Sequence, residues 1–239
     1  MQSQRRSLSR LRELIVLVVV ALLLSFVLQT FIGRVYLIPS ESMEPTLHGC
    51  AGCTGDRIVV DKVGFRFADP QPGEVVVFRS PTSSWDVGYT SARSDNGVMR
   101  ALESVGSFVG VVAPNENDLV KRIIATAKQT VKCCDERGRV QVDGRSLDEP
   151  YITMDFLFAA GTLDCTTVPA SARCFGPITV PDGNLWMMGD NRNHSADSRA
   201  HVADEYTGTV PISDVVGQAR LIVLPPSRWG TIDSPDIQQ

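Results

Sequence analysis

The sequence predicts a mainly β protein, with antiparallel meandering or Greek-key-like sheets, preceded by one N-terminal transmembrane helix. Three observations carry this expectation. Short runs rich in β-branched residues recur along the chain, separated by Gly, Pro and Asp. Asp-Gly pairs stand twice between such runs, at Asp143-Gly144 and Asp182-Gly183, the strongest short-range hairpin signal. A single long apolar run precedes all of them.

That run, Leu14 to Ile32, carries no charge. At about 1.5 Å of rise per helical residue it is long enough for a hydrocarbon core of roughly 30 Å. A cleaved signal peptide is the rival reading. Such peptides have apolar segments of about 7–15 residues followed by a small-x-small site, and Phe31-Ile32-Gly33-Arg34-Val35-Tyr36 offers none. A retained span at residues 14–33 is therefore expected. Arg5, Arg6, Arg10 and Arg12 crowd the preceding tail, residues 1–13, with Glu13 as the acid among them. The positive-inside rule puts that tail in the cytoplasm and everything after Arg34 on the outer face.

Beyond the span, strands are expected at Asp56–Val63 and Glu74–Arg79, separated by the loop Asp69-Pro70-Gln71-Pro72-Gly73. Val120–Ala125 and Thr130–Cys134 follow. Arg139–Leu147 reads as a hairpin about Asp143-Gly144, and Ile178–Val180 with Leu185–Met188 as a second about Asp182-Gly183. Val215–Leu224 is a late strand stopped by Pro225-Pro226. Val98–Val112 has near-helical apolar spacing at Met99, Leu102, Val105, Phe108 and Val109. It reads as a core-facing helix or as an apolar surface touching the bilayer. The end of the chain, residues 230–239, is expected to fray.

The 239 residues carry a formal net charge of −4. This weak acidity argues against a nucleic-acid partner, which selects a basic face. Six cysteines, at 50, 53, 133, 134, 165 and 174, suit an exported domain. Cys165 with Cys174 is the favoured pair because a short loop joins them. Cys50-x-x-Cys53 admits a structural, a redox or a half-zinc-site reading. Adjacent Cys133-Cys134 fits poorly as a second zinc-ligand pair, so no metal is expected.

Three motifs carry chemistry. The first is Ile38-Pro39-Ser40-Glu41-Ser42-Met43-Glu44-Pro45-Thr46-Leu47, close after the span. The second is Asp118-Leu119-Val120-Lys121-Arg122-Ile123-Ile124. A lysine in an apolar strand usually snorkels to water. Buried and neutral, it can instead take a proton from a serine hydroxyl. The third runs from Met188-Gly189-Asp190-Asn191-Arg192 through Ser195 and Asp197 to Arg199. Its acids and arginines can pair among themselves and stiffen the loop.

Together, in this order, the three motifs resemble bacterial type I signal peptidases, the Ser-Lys dyad family, in a single-span form. The resemblance runs from the span to about Trp229. It implies a signal-peptidase or LexA-like β fold, with a catalytic core at 34–129 and 185–229 and a second β region inserted at 130–184. It implies an acyl-enzyme serine endopeptidase that removes signal peptides from secreted preproteins, with small substrate residues at −1 and −3. Ser42 matches the nucleophile and Lys121 the general base. Ser40 matches an oxyanion donor, and Ser195 a hydroxyl that orients the lysine. Arg122 with Asp190, and Asp197 with Arg199, match a scaffold to which Arg192 also belongs. Tyr36, Ile38, Pro39, Met43, Leu47, Leu119 and Val120 match substrate-contacting positions. No cofactor is implied. The implied partners are preprotein signal peptides and the lipid bilayer, and the chain is expected to be a monomer in the bacterial cytoplasmic membrane. Ala125-Thr126-Ala127-Lys128-Gln129 departs from the Gly-x-Pro-Gly-Asp turn of many relatives, and Asn193-His194 from a more usual Asp-Asn pair.

That last departure raises a Ser-His-Asp alternative through His194, with Asp190 or Asp197 behind it. The bland reading makes His48, His194 and His201 exposed loop residues. Two other functions compete. A LexA-like self-cleaving regulator carries a DNA-binding module where this chain has an apolar span. A non-catalytic tethered β domain has no need of Ser42 and Lys121.

Overall fold

The computed structural model describes residues 12–24, 33–50, 52–86, 96–97, 99 and 118–239. Residues 12–24 form helix α1, and their side chains are exposed. Residues 25–32 of the expected span lie outside the described residues, as does most of the expected helix at 98–112. Among the described residues no helix is long and apolar enough to cross a membrane.

The strands in chain order begin with β1 (Gly33–Leu37), β2 (Arg57–Asp61), β3 (Val75–Arg79), β4 (Asp118–Ala125), β5 (Thr130–Cys133) and β6 (Val140–Val142). They continue with β7 (Arg145–Ser146), β8 (Phe175–Thr179), β9 (Asn184–Met188), β10 (Val210–Pro211), β11 (Val215–Leu224) and β12 (Gly230–Thr231). Two antiparallel sheets result. The larger has the order β1-β2-β11-β3-β4-β9-β10, with β12 attached to β11, and the smaller has the order β7-β6-β5-β8.

Composition explains each strand's place. Val75, Val76, Val77 and Phe78 of β3 are all buried, as a central strand covered on both faces requires. In β2 only Ile58 and Val60 are fully buried while Arg57, Val59 and Asp61 stay partly open, the alternation of a strand with one core face. One apolar cluster gathers Tyr36, Ile38, Met43, Leu47, Ile58, Val60 and Val77 on one side of the larger sheet. Another holds Val76, Phe78, Trp85, Ile123 and Met187. A third joins the two sheets through Ile124, Val131, Val142, Trp186 and Met188, with Phe175 stacked on Trp186 at 5.4 Å.

The hairpin at Asp143-Gly144 forms as the local signal demands. Both residues have positive φ, 51° and 82°, and Val142 pairs with Arg145 across the turn. The second expected hairpin does not form. Asn184 N–H donates to Pro181 O at 3.2 Å, so the chain turns at Asp182-Gly183. However, β8 pairs with β5 and β9 pairs with β4 and β10. This turn carries the chain from one sheet to the other. Leu185 through Met188 are buried on both faces, with Trp186 and Met188 in the cluster joining the sheets and Leu185 and Met187 in the cluster opposite, so β9 sits where two apolar layers cover it.

The chain end is packed rather than frayed. β12 pairs with β11, Ile232 is buried, and Ile237 is fully buried against the cluster joining the sheets. Asp148 N–H donates to Ile237 O at 3.1 Å, and Gln238 Nε2 to Ile124 O at 2.9 Å. Apolar residues among the prolines and acids of this segment outweigh its disorder-like composition. Disulfides join Cys165 to Cys174, as expected, and also Cys50 to Cys53 and Cys133 to Cys134.

Ile237→Ala should lower unfolding stability by about 2–5 kcal/mol, the cost of emptying a buried aliphatic site. Urea denaturation followed by tryptophan fluorescence measures it. A frayed tail would give a change within about 0.5 kcal/mol.

Candidate active site

Lys121 lies in β4, where its Cα is the register partner of Val76 in β3. Strand alternation places its side chain on the face of Leu119 and Ile123, and Arg122 on the other. Ser42 sits in a short 3-10 turn, Glu41–Met43, entered from an extended Ser40. The turn is anchored by burial of Met43 and Leu47, and Leu47 N–H donates to Met43 O at 2.9 Å.

These two segments meet. Lys121 Nζ donates to Ser42 Oγ at 2.8 Å. Lys121 is 4% exposed and Ser42 8%. Burial pulls the lysine pKa down from 10.5 to about 8, because an apolar surrounding disfavours the charged amine. The carboxylates of Asp197 and Asp190 pull it back up, and Arg199 opposes them. Ser40 Oγ lies 3.3 Å from Ser42 Oγ.

The loop after β9 locks this arrangement. Asn191 N–H donates to Ser42 O at 3.1 Å. Gly189 has no room for a side chain, since a Cβ there would stand 2.5 Å from Ser42 O and 2.3 Å from Ser195 Oγ. Arg122 makes paired bonds to Asp190, from Nε at 2.9 Å and from Nη2 at 2.7 Å. It also donates to the carbonyls of Gly73 and Asp233, and its guanidinium lies 3.9 Å from the Tyr151 ring centroid. Asp197 accepts two bonds from the Arg199 guanidinium, each 2.8 Å, and one from Gly189 N–H at 3.0 Å. Burial pushes the Asp197 pKa up, but Arg199 and the Gly189 N–H together hold it below its ordinary value.

Other expected contacts differ. Arg192 finds its carboxylate outside the loop, in Glu149. It is almost fully buried and bonds Gly189 O at 3.0 Å, so an acid from the segment before β8 must enter to balance it. The Ser195 hydroxyl is buried and faces the Asp197 carboxylate, which it helps to hold ionised, while the Lys121 amine bonds Ser42. His194 is exposed and bonds Glu41 at 2.8 Å. His48 pairs with Glu44. His201 is not exposed: it is buried and stacked on Trp85 at 4.1 Å. None of the three imidazoles bonds Ser42, so the Ser-His-Asp alternative has no geometric support.

Among the expected substrate-contacting residues, Tyr36, Ile38, Met43 and Leu47 are buried in one cluster, with Val120 packed against it. Pro39 is exposed and Leu119 partly buried. Residues that the motifs did not mark also join the site. Thr46 donates to Asp190 Oδ2 at 2.5 Å, and Glu149 and Tyr151 come from the inserted stretch. Nothing in their spacing points to Arg122 or Arg192, because the contacts cross 76 positions of chain from Thr46 to Arg122 and 43 from Glu149 to Arg192. Clusters with metal-ligand spacing occur among the described residues at His48, Cys50 and Cys53, and at Cys134, Cys165 and Cys174. Neither includes Ser42 or Lys121.

Comparison with known proteins places the sequence in a family. Residues 11–224 match the family described as signal peptidase, peptidase S26. Signal peptidase I of Mycobacterium tuberculosis is 54% identical over 97% of this chain and 78% of its own length. The probable signal peptidase I of Mycobacterium leprae is 50% identical over 99% of this chain and 84% of its own. A crystal structure of a signal peptidase I from Enterococcus faecalis V583 aligns at 23% identity with a TM-score of 0.34, over 63% of this chain and 97% of that one. On the extent of the family match and the identity to these relatives, the chain belongs to the signal peptidase family, peptidase S26.

Proposed function

We propose that the chain is a membrane-anchored serine endopeptidase that removes N-terminal signal peptides from secreted preproteins by a Ser-Lys acyl-enzyme mechanism. One observation carries the mechanism: an amine 4% exposed, with its pKa lowered to about 8, donates at 2.8 Å to a serine hydroxyl. The relatives named signal peptidase I support the substrate class.

In this reading neutral Lys121 accepts the Ser42 proton as Oγ attacks the scissile carbonyl. The electron pair moves onto the carbonyl oxygen, where the Ser42 backbone N–H and the Ser40 hydroxyl stabilise it. Such a donor is worth roughly 3–4 kcal/mol. Lys121 then delivers its proton to the leaving amine. A water attacks the acyl-enzyme, with Lys121 again taking the proton, and Ser42 is regenerated. Asp190 and Asp197, each paired with an arginine, are positioning residues. Ser195, buried beside Gly189 and facing Asp197, acts on the lysine through that carboxylate.

The substrate binds extended. β9 pairs with β4 only from Arg122 onward, and among the described residues no strand covers that edge of residues 118–121. A peptide adding there would run past Ser42. Its side chains would rest on Ile38, Pro39, Met43, Leu47, Leu119 and Val120, with Tyr36 deeper. Tyr36, Ile38, Met43, Leu47 and Val120 of that wall already pack in one cluster, which limits the depth left for substrate side chains and accounts for small residues at −1 and −3.

The apolar run at 14–32 anchors the chain by a single pass in the bacterial cytoplasmic membrane, with the basic tail inside and Gly33 already in β1. Substrate and enzyme then share a bilayer, which raises their effective concentration. Residues 34–129 and 185–229 form the catalytic core, and 130–184 the inserted region.

Ser42→Ala and Lys121→Ala should each lower turnover of a preprotein by at least about 10³-fold while circular dichroism stays unchanged. Near-normal turnover of Lys121→Ala would refute the dyad. Ser40→Ala should cost about 10²–10³-fold in kcat with little change in KM.

The lysine is active when neutral, so activity should rise with pH through a midpoint near 8, where the folded amine loses its proton. At pH 6 the rate should be roughly a hundredth of its plateau, since each unit below the pKa cuts the neutral fraction about tenfold. A midpoint near the ordinary lysine value in the kcat/KM profile would remove the buried base.

A further inference from the structure

The Cys50–Cys53 disulfide lies in a loop that is held ready on both sides. His48 N–H donates to Asp56 Oδ2 at 2.7 Å, and Asp56 N–H donates to His48 O at 2.8 Å. Arg228 holds the Asp56 carboxylate from the other side, with Nε to Oδ1 at 2.8 Å. Within this frame Cys53 N–H donates to Cys50 O at 3.4 Å, folding the two sulfurs toward one another. The imidazole of His48 is turned to meet them. Its Nδ1 is bonded to the Glu44 carboxylate, and its Nε2 faces Cys53 Sγ at 3.8 Å. The ligand atoms of His48, Cys50 and Cys53 all lie within 4.8 Å of one another.

The tautomer decides what this cluster can do. A carboxylate accepting from Nδ1–H fixes the proton there and leaves the lone pair on Nε2. That is the arrangement in which a histidine ligates a metal, with the carboxylate as the outer partner that orients the ring. Two thiolates and one imidazole make a donor set for zinc-class cations, with a fourth position left for water or another ligand.

We propose that Cys50, Cys53 and His48, with Glu44 orienting the imidazole, form a redox-gated site for a Zn²⁺-class cation. The disulfide closes the loop in its oxidised state. An external dithiol or phosphine supplies two electrons and, with two protons from solvent or donor, cleaves the S–S bond to two thiols. A dithiol donor leaves as its own disulfide, and a phosphine leaves as its oxide with oxygen from water. Binding the cation then releases both thiol protons. The segment that follows Ser42 is thus held closed by a covalent bond in one state and by a metal in the other. The site is separate from the Ser42–Lys121 pair, and neither residue is a ligand.

Co²⁺ titration of the full chain in detergent tests this by absorbance. After phosphine reduction, one Co²⁺ should give a thiolate-to-metal charge-transfer band that Zn²⁺ abolishes. The oxidised protein should give none. Cys50→Ser with Cys53→Ser should remove the band, and Cys165→Ser with Cys174→Ser should retain it. Glu44→Gln should weaken binding about 10–100-fold, the range for loss of an orienting partner. In the wild-type chain, Zn²⁺ should also protect Cys50 and Cys53 from alkylation, a readout that needs no variant to fold. Absence of the band from reduced wild-type protein overturns the proposal. So does its survival without Cys50 and Cys53, or Zn²⁺ protection confined to Cys134, Cys165 and Cys174.

Discussion

Taking a lysine amine out of water disfavours its charged form, and that desolvation governs the candidate site. The fall of the Lys121 pKa from 10.5 to about 8 corresponds to about 3 kcal/mol against the ammonium. The number is small beside the cost of fully burying an isolated charge. It is nevertheless enough to leave an appreciable neutral fraction near neutral pH. The same burial that lowers the pKa places the amine 2.8 Å from the Ser42 hydroxyl. Apolar packing therefore sets both the protonation state and the geometry of the pair.

That balance depends on the neighbouring acids being occupied. Asp190 and Asp197 both raise the Lys121 pKa, and an unpaired buried carboxylate would hold the amine charged. Each is instead engaged by an arginine, Asp190 by Arg122 and Asp197 by Arg199. Arg199 also lowers the lysine pKa directly. The ion pairs do more than brace the loop, because they spend the acids' charge on guanidinium groups rather than on the base. Burial makes this arrangement unforgiving: removing one member leaves its partner charged and unpaired in a dry interior.

The site draws on segments far apart in the chain, and the sheet brings them together. β4 supplies Lys121 and Arg122 on opposite faces, the loop after β9 supplies Asp190 and Asn191, and the turn before β2 supplies Ser42. The smaller sheet contributes through its flanking segment. Glu149 neutralises Arg192, and Tyr151 lies against Arg122. The inserted stretch thus steadies the loop that fastens Ser42.

The elements whose formation rests on local chemistry were legible from the residues alone. β-Branched residues marked β2, the Asp143-Gly144 pair marked its turn, and Pro225-Pro226 marked the end of β11. Ser42 and Lys121 stood out because three motifs in one order are specific where each alone is not. What local patterns cannot encode is which partner a strand or charge meets. Asp182-Gly183 looks like a hairpin turn, yet β9 joins β4 in the larger sheet, where apolar clusters cover both of its faces. The prolines and acids of the last ten residues read as fraying, yet Ile237 finds a cavity that only the folded sheets create. Arg192 takes Glu149 rather than an acid of its own loop, since Asp197 is already held by Arg199. The sequence by itself determined the strand content, the single apolar run and the chemical identity of the candidate pair. The tertiary structure alone decided the dryness of the lysine, because burial belongs to the packed sheets and to no single segment.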